Sequence, residues 1–157
     1  MSKMRKPPLG PEGTIWFGGP VDRFSITLRI YGEDLDPDRI SALLGCPPTS
    51  SERKGVPVEI ARGGIRMPKR GRWLLEIESD QCDEDDDVGD GVKKLLAGLP
   101  SDPALWESLT KKYKVDIFCS IYLATDNRGF GISPEVSKML ADRSLEIGFD
   151  IYFDPPA

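Results

Sequence analysis

The chain has 157 residues, the size of one domain able to bury a core of its own. It is 39% apolar and 30% charged with a net charge of -5, a balance that argues against wholesale disorder and disfavours generic nucleic-acid binding. It contains no histidine, which excludes Ser-His-Asp and Cys-His catalysis, His-ligated zinc and an imidazole proton shuttle.

The opening "MSKMRKPPLGPEG" is basic but runs into proline and glycine rather than an apolar segment. It is therefore expected as a tail and not as a secretory leader. Residues 1–21 are assigned to that tail, with room for a short strand, and 22–157 to a single domain. The first strand is "RFSITLRIY", where Phe24, Ile26, Leu28 and Ile30 alternate with Ser25, Thr27 and Arg29. In "DPDRISALLG", Asp36 is a good N-cap, Pro37 suits the first helical position and Gly45 can end the helix left-handed. Residues 46–71 read as a polar loop, with one edge strand at best around "VPVEIA" because of Pro57.

"RWLLEIE" is the next strand, with Trp73, Leu75 and Ile77 facing one way, and "SDQCDEDDDVGDG" is a loop by charge and glycine content. "VGDGVKKLLAGL" carries Val88, Val92, Leu95, Leu96 and Leu99 at helical spacing, weakened at its start by Gly89 and Gly91. A second helix opens at Asp102-Pro103 and runs basic toward Lys111 and Lys112. "KVDIFCSIYLA" is apolar on nearly both sides and is expected near the centre of the sheet, with Cys119 as a small core residue. A turn, a short strand "FGIS", a helix opened by Ser133-Pro134 and the closing strand "LEIGFDIYF" complete the chain. In that last strand Ile147, Phe149, Ile151 and Phe153 alternate with Gly148, Asp150, Tyr152 and Asp154.

This order predicts an α+β fold: a single mixed, mainly antiparallel sheet with helices packed mostly on one face. A faint repeat, Ile30-Tyr31 and Ile121-Tyr122 each ahead of a loop and helix, suggests two strand–loop–helix halves as in ferredoxin-like sheets. Three widely spaced cysteines, Cys46, Cys82 and Cys119, fit reduced thiols in a cytoplasm better than a disulfide framework. No run approaches the about 18 apolar residues of a membrane span.

Taken together, "FSITLRIYGEDLDPDRISALLGCPPT", "ERKGVP", "RWLLEIES" and "LEIGFDIYF" resemble the bacterial family catalogued as domain of unknown function 4279. The resemblance covers roughly residues 22–154 and is most specific at Leu44 to Thr49 with Arg53-Lys54-Gly55. It implies a small cytoplasmic α+β domain and carries no activity, substrate or cofactor. Bacterial gene neighbourhoods of several kinds leave room for a toxin-neutralising immunity protein. The acidic loop at 78–90 departs from the typical member.

The candidate site residues fall into two sets. Thr49, Arg53, Lys54, Trp73, Tyr31 and Tyr122 are ligand- or partner-binding candidates, the basic ones belonging to a segment from 53 to 73. Asp83, Glu84, Asp85, Asp86 and Asp87 form a candidate acidic docking surface, where clustered charge would speed association with a basic protein. No metal site is assigned there. A calcium loop needs glycine at its sixth position, which is Asp85 counted from Asp80 and Val88 counted from Asp83. No base stands beside Thr49, Ser50 or Ser51, and no cofactor motif is present. The sequence thus favours a non-enzymatic module that binds a protein partner, with an immunity-type inhibitor as one form. A small-anion or ligand-binding protein using residues 53–73 is the alternative, and a carboxylate- or metal-dependent hydrolase the least favoured.

Overall fold

The computed structural model describes residues 20–125 and 127–157. Seven strands and four α-helices follow in the order β1 (Arg23–Gly32), α1 (Pro37–Leu44), β2 (Ser50–Glu52), β3 (Val58–Glu59), β4 (Ile65–Arg66), β5 (Gly71–Glu78), α2 (Val88–Ala97), α3 (Pro103–Lys112), β6 (Lys114–Leu123), α4 (Pro134–Asp142) and β7 (Glu146–Phe153). A short 3₁₀ helix, Ser79–Gln81, follows β5.

Five strands form one sheet in the order β2-β5-β1-β6-β7, antiparallel except for the parallel pair β6–β7. The fold is therefore α+β, with a mixed, mainly antiparallel sheet. β1 lies at its centre because its even-numbered residues Phe24, Ile26, Leu28 and Ile30 are all fully buried. Across the register they meet Ile77, Leu75 and Trp73 of β5 and Ile121, Cys119, Ile117 and Val115 of β6. The helices cover this face: α1 packs on β5, α2 on β1 and α3 on β6, with α4 beside α2. Burying this apolar layer is the dominant favourable term in folding.

The helix starts follow their local chemistry. Asp36, Asp87, Asp102 and Ser133 each accept a hydrogen bond from a backbone N–H in the first turn, and proline sits just inside α1, α3 and α4. Gly45 takes φ 74° and ends α1 left-handed. Gly91, unfavourable for a helix in isolation, lets α2 approach β1. A Cβ there would lie 2.5 Å from Ile26 Cδ1 and 2.8 Å from Phe24 Cε2.

Several expectations from sequence are revised. "FGIS" forms no strand; residues 130–133 are irregular, and only an isolated bridge joins Gly129 to Pro20. Phe130 and Ile132 pack against the core as separate apolar plugs. The 46–71 segment holds three short strands. β2 joins the main sheet, while "VPVEIA" yields only Val58–Glu59, paired with β4 in a separate hairpin. The units β1–α1 and β6–α4 are both present, but β5 returns antiparallel beside β1 whereas β7 returns parallel beside β6. The expected N-terminal tail lies outside the described residues up to residue 19; Val21 already joins the core. Among the described residues no helix is long and apolar enough to cross a membrane.

Candidate functional site

The basic segment after α1 is held in place by its own neighbours. Beyond Pro47-Pro48 the chain turns back along β5: Thr49 N–H donates to Leu74 O at 2.7 Å, and Thr49 Oγ1 accepts from Glu76 N–H at 2.9 Å. Ser50, Ser51 and Glu52 continue the pairing opposite Leu74, Trp73 and Arg72. The Arg53 guanidinium then forks onto the start of α1, donating to Asp36 Oδ1 at 2.7 Å and Asp38 Oδ2 at 2.5 Å. Lys54 Nζ donates to Glu33 Oε1 at 2.5 Å. Arg53 holds the Asp36 carboxyl below the usual carboxylate range, Lys54 does the same for Glu33, and the Glu33 partner raises Lys54. Thr49, Arg53 and Lys54 thus tie β2 to β5 and to the β1–α1 turn.

The same economy runs through the hairpin. Glu52, almost fully buried, accepts from Arg72 at 2.9 Å and from Arg66. Trp73 is fully buried, and its indole N–H donates to Ser41 Oγ at 3.0 Å. Its side chain belongs to the α1–β5 packing and presents no surface to a ligand.

The face of the sheet without helices carries arginines laid on aromatic rings. Arg23 lies 3.8 Å from the Tyr122 ring centroid, Arg29 4.3 Å from that of Phe118, and Arg70 4.3 Å from that of Tyr31. Arg29 is also gripped by both carboxylate oxygens of Asp116 at 2.7 Å, a bidentate pair that raises its pKa further. Tyr122 stacks on Tyr152 of β7 at 5.2 Å between centroids. Tyr31 stands at the other end of β1, opposite Lys114, while Tyr122 pairs with Arg23. The two tyrosines share a face and do not share a site.

The acidic loop is partly structural. Asp86 accepts from Asp83 N–H at 2.9 Å and closes a turn. Asp87 and Asp90 bond reciprocally to each other's backbone at 3.0 Å as the capping box of α2, and Asp87 also accepts from Gly131 N–H at 3.2 Å. Asp83, Glu84 and Asp85 are exposed. An open cleft of about 290 Å³ lies beside this cap, between the N-termini of α2 and α4, lined by Asp87, Gly89, Asp90, Gly131, Ile132 and Ser133. Both caps facing it already accept hydrogen bonds from their own helices. Among the described residues no group of three or more His, Cys, Asp or Glu is placed to hold a metal ion. The Cys119 thiol, enclosed by the core, is pushed up to about 12 by burial and is a packing residue.

Sequence reasoning missed the surface that stands out in three dimensions, the outer edge of β7. Its apolar alternation was legible, but alternation alone does not say whether either face is covered. Only Ile147 is packed against the core; Phe149, Ile151 and Phe153 are 37%, 60% and 67% exposed. Phe149 leans on Phe130 at 5.2 Å, and the two apolar residues beyond it, Ile151 and Phe153, are the more exposed. On the opposite face of β7 stand Glu146, Asp150 and Asp154, with Tyr152 O–H donating to Asp150 at 3.2 Å. Among the described residues no strand pairs with this edge.

Fold and surface together define an α+β fold whose β7 edge, among the described residues, is long, unpaired and apolar on one face. The chain belongs to the family described as "Domain of unknown function (DUF4279)", whose model matches residues 22–154. No match is found among curated proteins or solved structures.

Proposed function

We propose that this domain is a non-enzymatic protein-interaction module and that its partner docks on β7. The observation that supports it is the uncovered apolar row Phe149, Ile151 and Phe153 on an eight-residue strand at the open edge of the sheet. Contiguous exposed apolar surface of this kind marks interaction sites in water-soluble domains, and an unpaired strand edge left free of proline and lysine is itself a template for pairing. The lack of histidine in the sequence points the same way. An immunity-type inhibitor, which acts by covering its target, needs no more than such a surface. The wide cysteine spacing keeps a reducing, cytoplasmic setting as part of this proposal.

The small-anion alternative at residues 53–73 draws less support. Arg53, Lys54, Arg66 and Arg72 already have carboxylate partners, and Trp73 is enclosed.

The test uses the full chain and a double variant, Ile151→Asp with Phe153→Asp, which should fold as the parent does because both side chains are exposed. Wild type is expected to retain, from extracts of its source cells, a partner of fixed stoichiometry that the variant loses with unchanged circular dichroism. Equal retention by both proteins would refute docking on β7.

A further inference from the structure

We infer that β7 accepts an extended strand from a partner protein in which apolar residues alternate with lysine or arginine. This rests on the protein-binding reading above and names the chemistry of the partner.

The main chain sets the first requirement. Asp154 N–H donates inward to Leu123 O at 2.8 Å, and β7 pairs with β6 in parallel from Glu146 to Phe153. In a parallel ladder the residues of a strand turn their main-chain groups alternately to the two sides. The even-numbered residues therefore face β6, and the N–H and C=O groups of Ile147, Phe149, Ile151 and Phe153 turn outward. An added strand satisfies these groups, as in β-augmentation, where the backbone supplies affinity and alternate side chains supply specificity.

The side chains set the second requirement. On the helix side the incoming strand lies beside Phe149, Ile151 and Phe153, so its residues there must be apolar. On the other face it lies beside Glu146 and Asp150 and, at the end, Asp154. Among the described residues no basic side chain forms an ion pair with Glu146 or Asp150: Arg29 grips Asp116, while Arg23 lies over Tyr122 and pairs with Asp154 at 3.6 Å, so only the end carboxylate is already engaged. The edge thus offers apolar side chains on one face and carboxylates on the other, which a strand alternating apolar and basic residues complements on both.

A second copy of the chain fits less well. Antiparallel pairing of β7 with itself places Asp150 opposite or diagonal to a carboxylate of the copy in every full register, an arrangement that disfavours pairing.

The test measures binding of two capped, fluorescently labelled heptapeptides, Lys-Val-Lys-Ile-Lys-Val-Lys and Glu-Val-Glu-Ile-Glu-Val-Glu, to the full chain at low salt. The lysine peptide is expected to bind at least about tenfold more tightly than the glutamate peptide. It should also slow amide exchange at Ile147, Phe149, Ile151 and Phe153 by about tenfold or more. Asp150→Lys should invert the preference, and Ile151→Pro, which removes one outward N–H and is tolerated at an edge, should weaken the lysine peptide by about tenfold. Equal binding of both peptides, or unchanged exchange at the four amides, would overturn the inference. So would finding those amides already protected in the free chain, since residues 1–19 or a second copy would then hold the edge; sedimentation equilibrium separates the two. Loss of the cellular partner in the Ile151→Asp/Phe153→Asp variant, with no peptide discrimination, would leave the protein-binding function standing and remove only this partner chemistry.

Discussion

The two edges of the sheet are built on opposite plans. β2 is three residues long, follows two prolines, and is fastened by Thr49 to β5, by Arg53 to the start of α1 and by Lys54 to the β1–α1 turn. The chain beyond it folds into the β3–β4 hairpin, whose Arg66 joins Arg72 on the buried carboxylate of Glu52. Short length, charge and bound neighbours are the usual devices that stop a sheet edge from recruiting another strand. β7 lacks short length and, among the described residues, any strand bound at its outer edge, and its charges, Glu146 and Asp150, stand on one face only. It is eight residues long, has no proline before Pro155, and keeps three apolar side chains uncovered. In one sheet a protected edge thus stands against a less protected one, and the second is where we propose that a partner docks.

Substitutions at matched positions break or sharpen this contrast. The largest effect is expected at the protected side: Gly71→Ala places a Cβ 2.5 Å from Leu35 O and 2.8 Å from Leu35 Cβ. Neither backbone can give way freely, so urea denaturation should show a loss of about 3 kcal/mol. Glu52→Ala comes next, because it leaves Arg66 and Arg72 facing each other without their shared carboxylate. Both arginines reach solvent, which holds the expected loss to about 2 kcal/mol, less than for a fully buried pair. Gly148→Ala, in the unprotected strand, is the counterpart of the glycine in β5. Its Cβ would meet only Phe118 Cδ2 at 3.8 Å, so the same measurement should show a gain of about 0.5 kcal/mol.

The smallest effect is the pH-dependent part of the Arg53 clamp. Arg53 holds Asp36 below its unfolded-state value, so the contribution is complete above that value, near 4, and is lost as pH falls through the lower folded one. The melting-point difference between wild type and Arg53→Ala should therefore be full at neutral pH and shrink below about pH 4. Molar salt should shrink it at any pH, because the pair is exposed.

Much of this fold was legible in the sequence because local chemistry announced it. Asp36-Pro37, Asp102-Pro103 and Ser133-Pro134 mark helix starts whose caps form as their residue types demand. The strict alternation of β1 gave its face and its burial together. β2 was hidden because "SSE" has no apolar period; Thr49 and the open edge of β5 decide its pairing, not its own side chains. "FGIS" misled in the opposite direction, since Phe130 and Ile132 alternate like strand residues but act as apolar plugs. The partners of Arg53 and Lys54 lie 15 to 21 residues back along the chain, beyond any local pattern. For β7 the period correctly separated two faces, yet a period says nothing about whether another element covers either one. Strand order supplies that, and strand order is a tertiary fact.

The most direct measurement compares the two edges in a single experiment. A photo-reactive amino acid is placed at Ile151 in one sample of the full chain and at Ser51 in another, and both are irradiated in cells. A discrete partner adduct at 151 with none at 51 is the predicted result. Adducts at 51 and not at 151, or equal adducts at both, would contradict the assignment of recognition to β7.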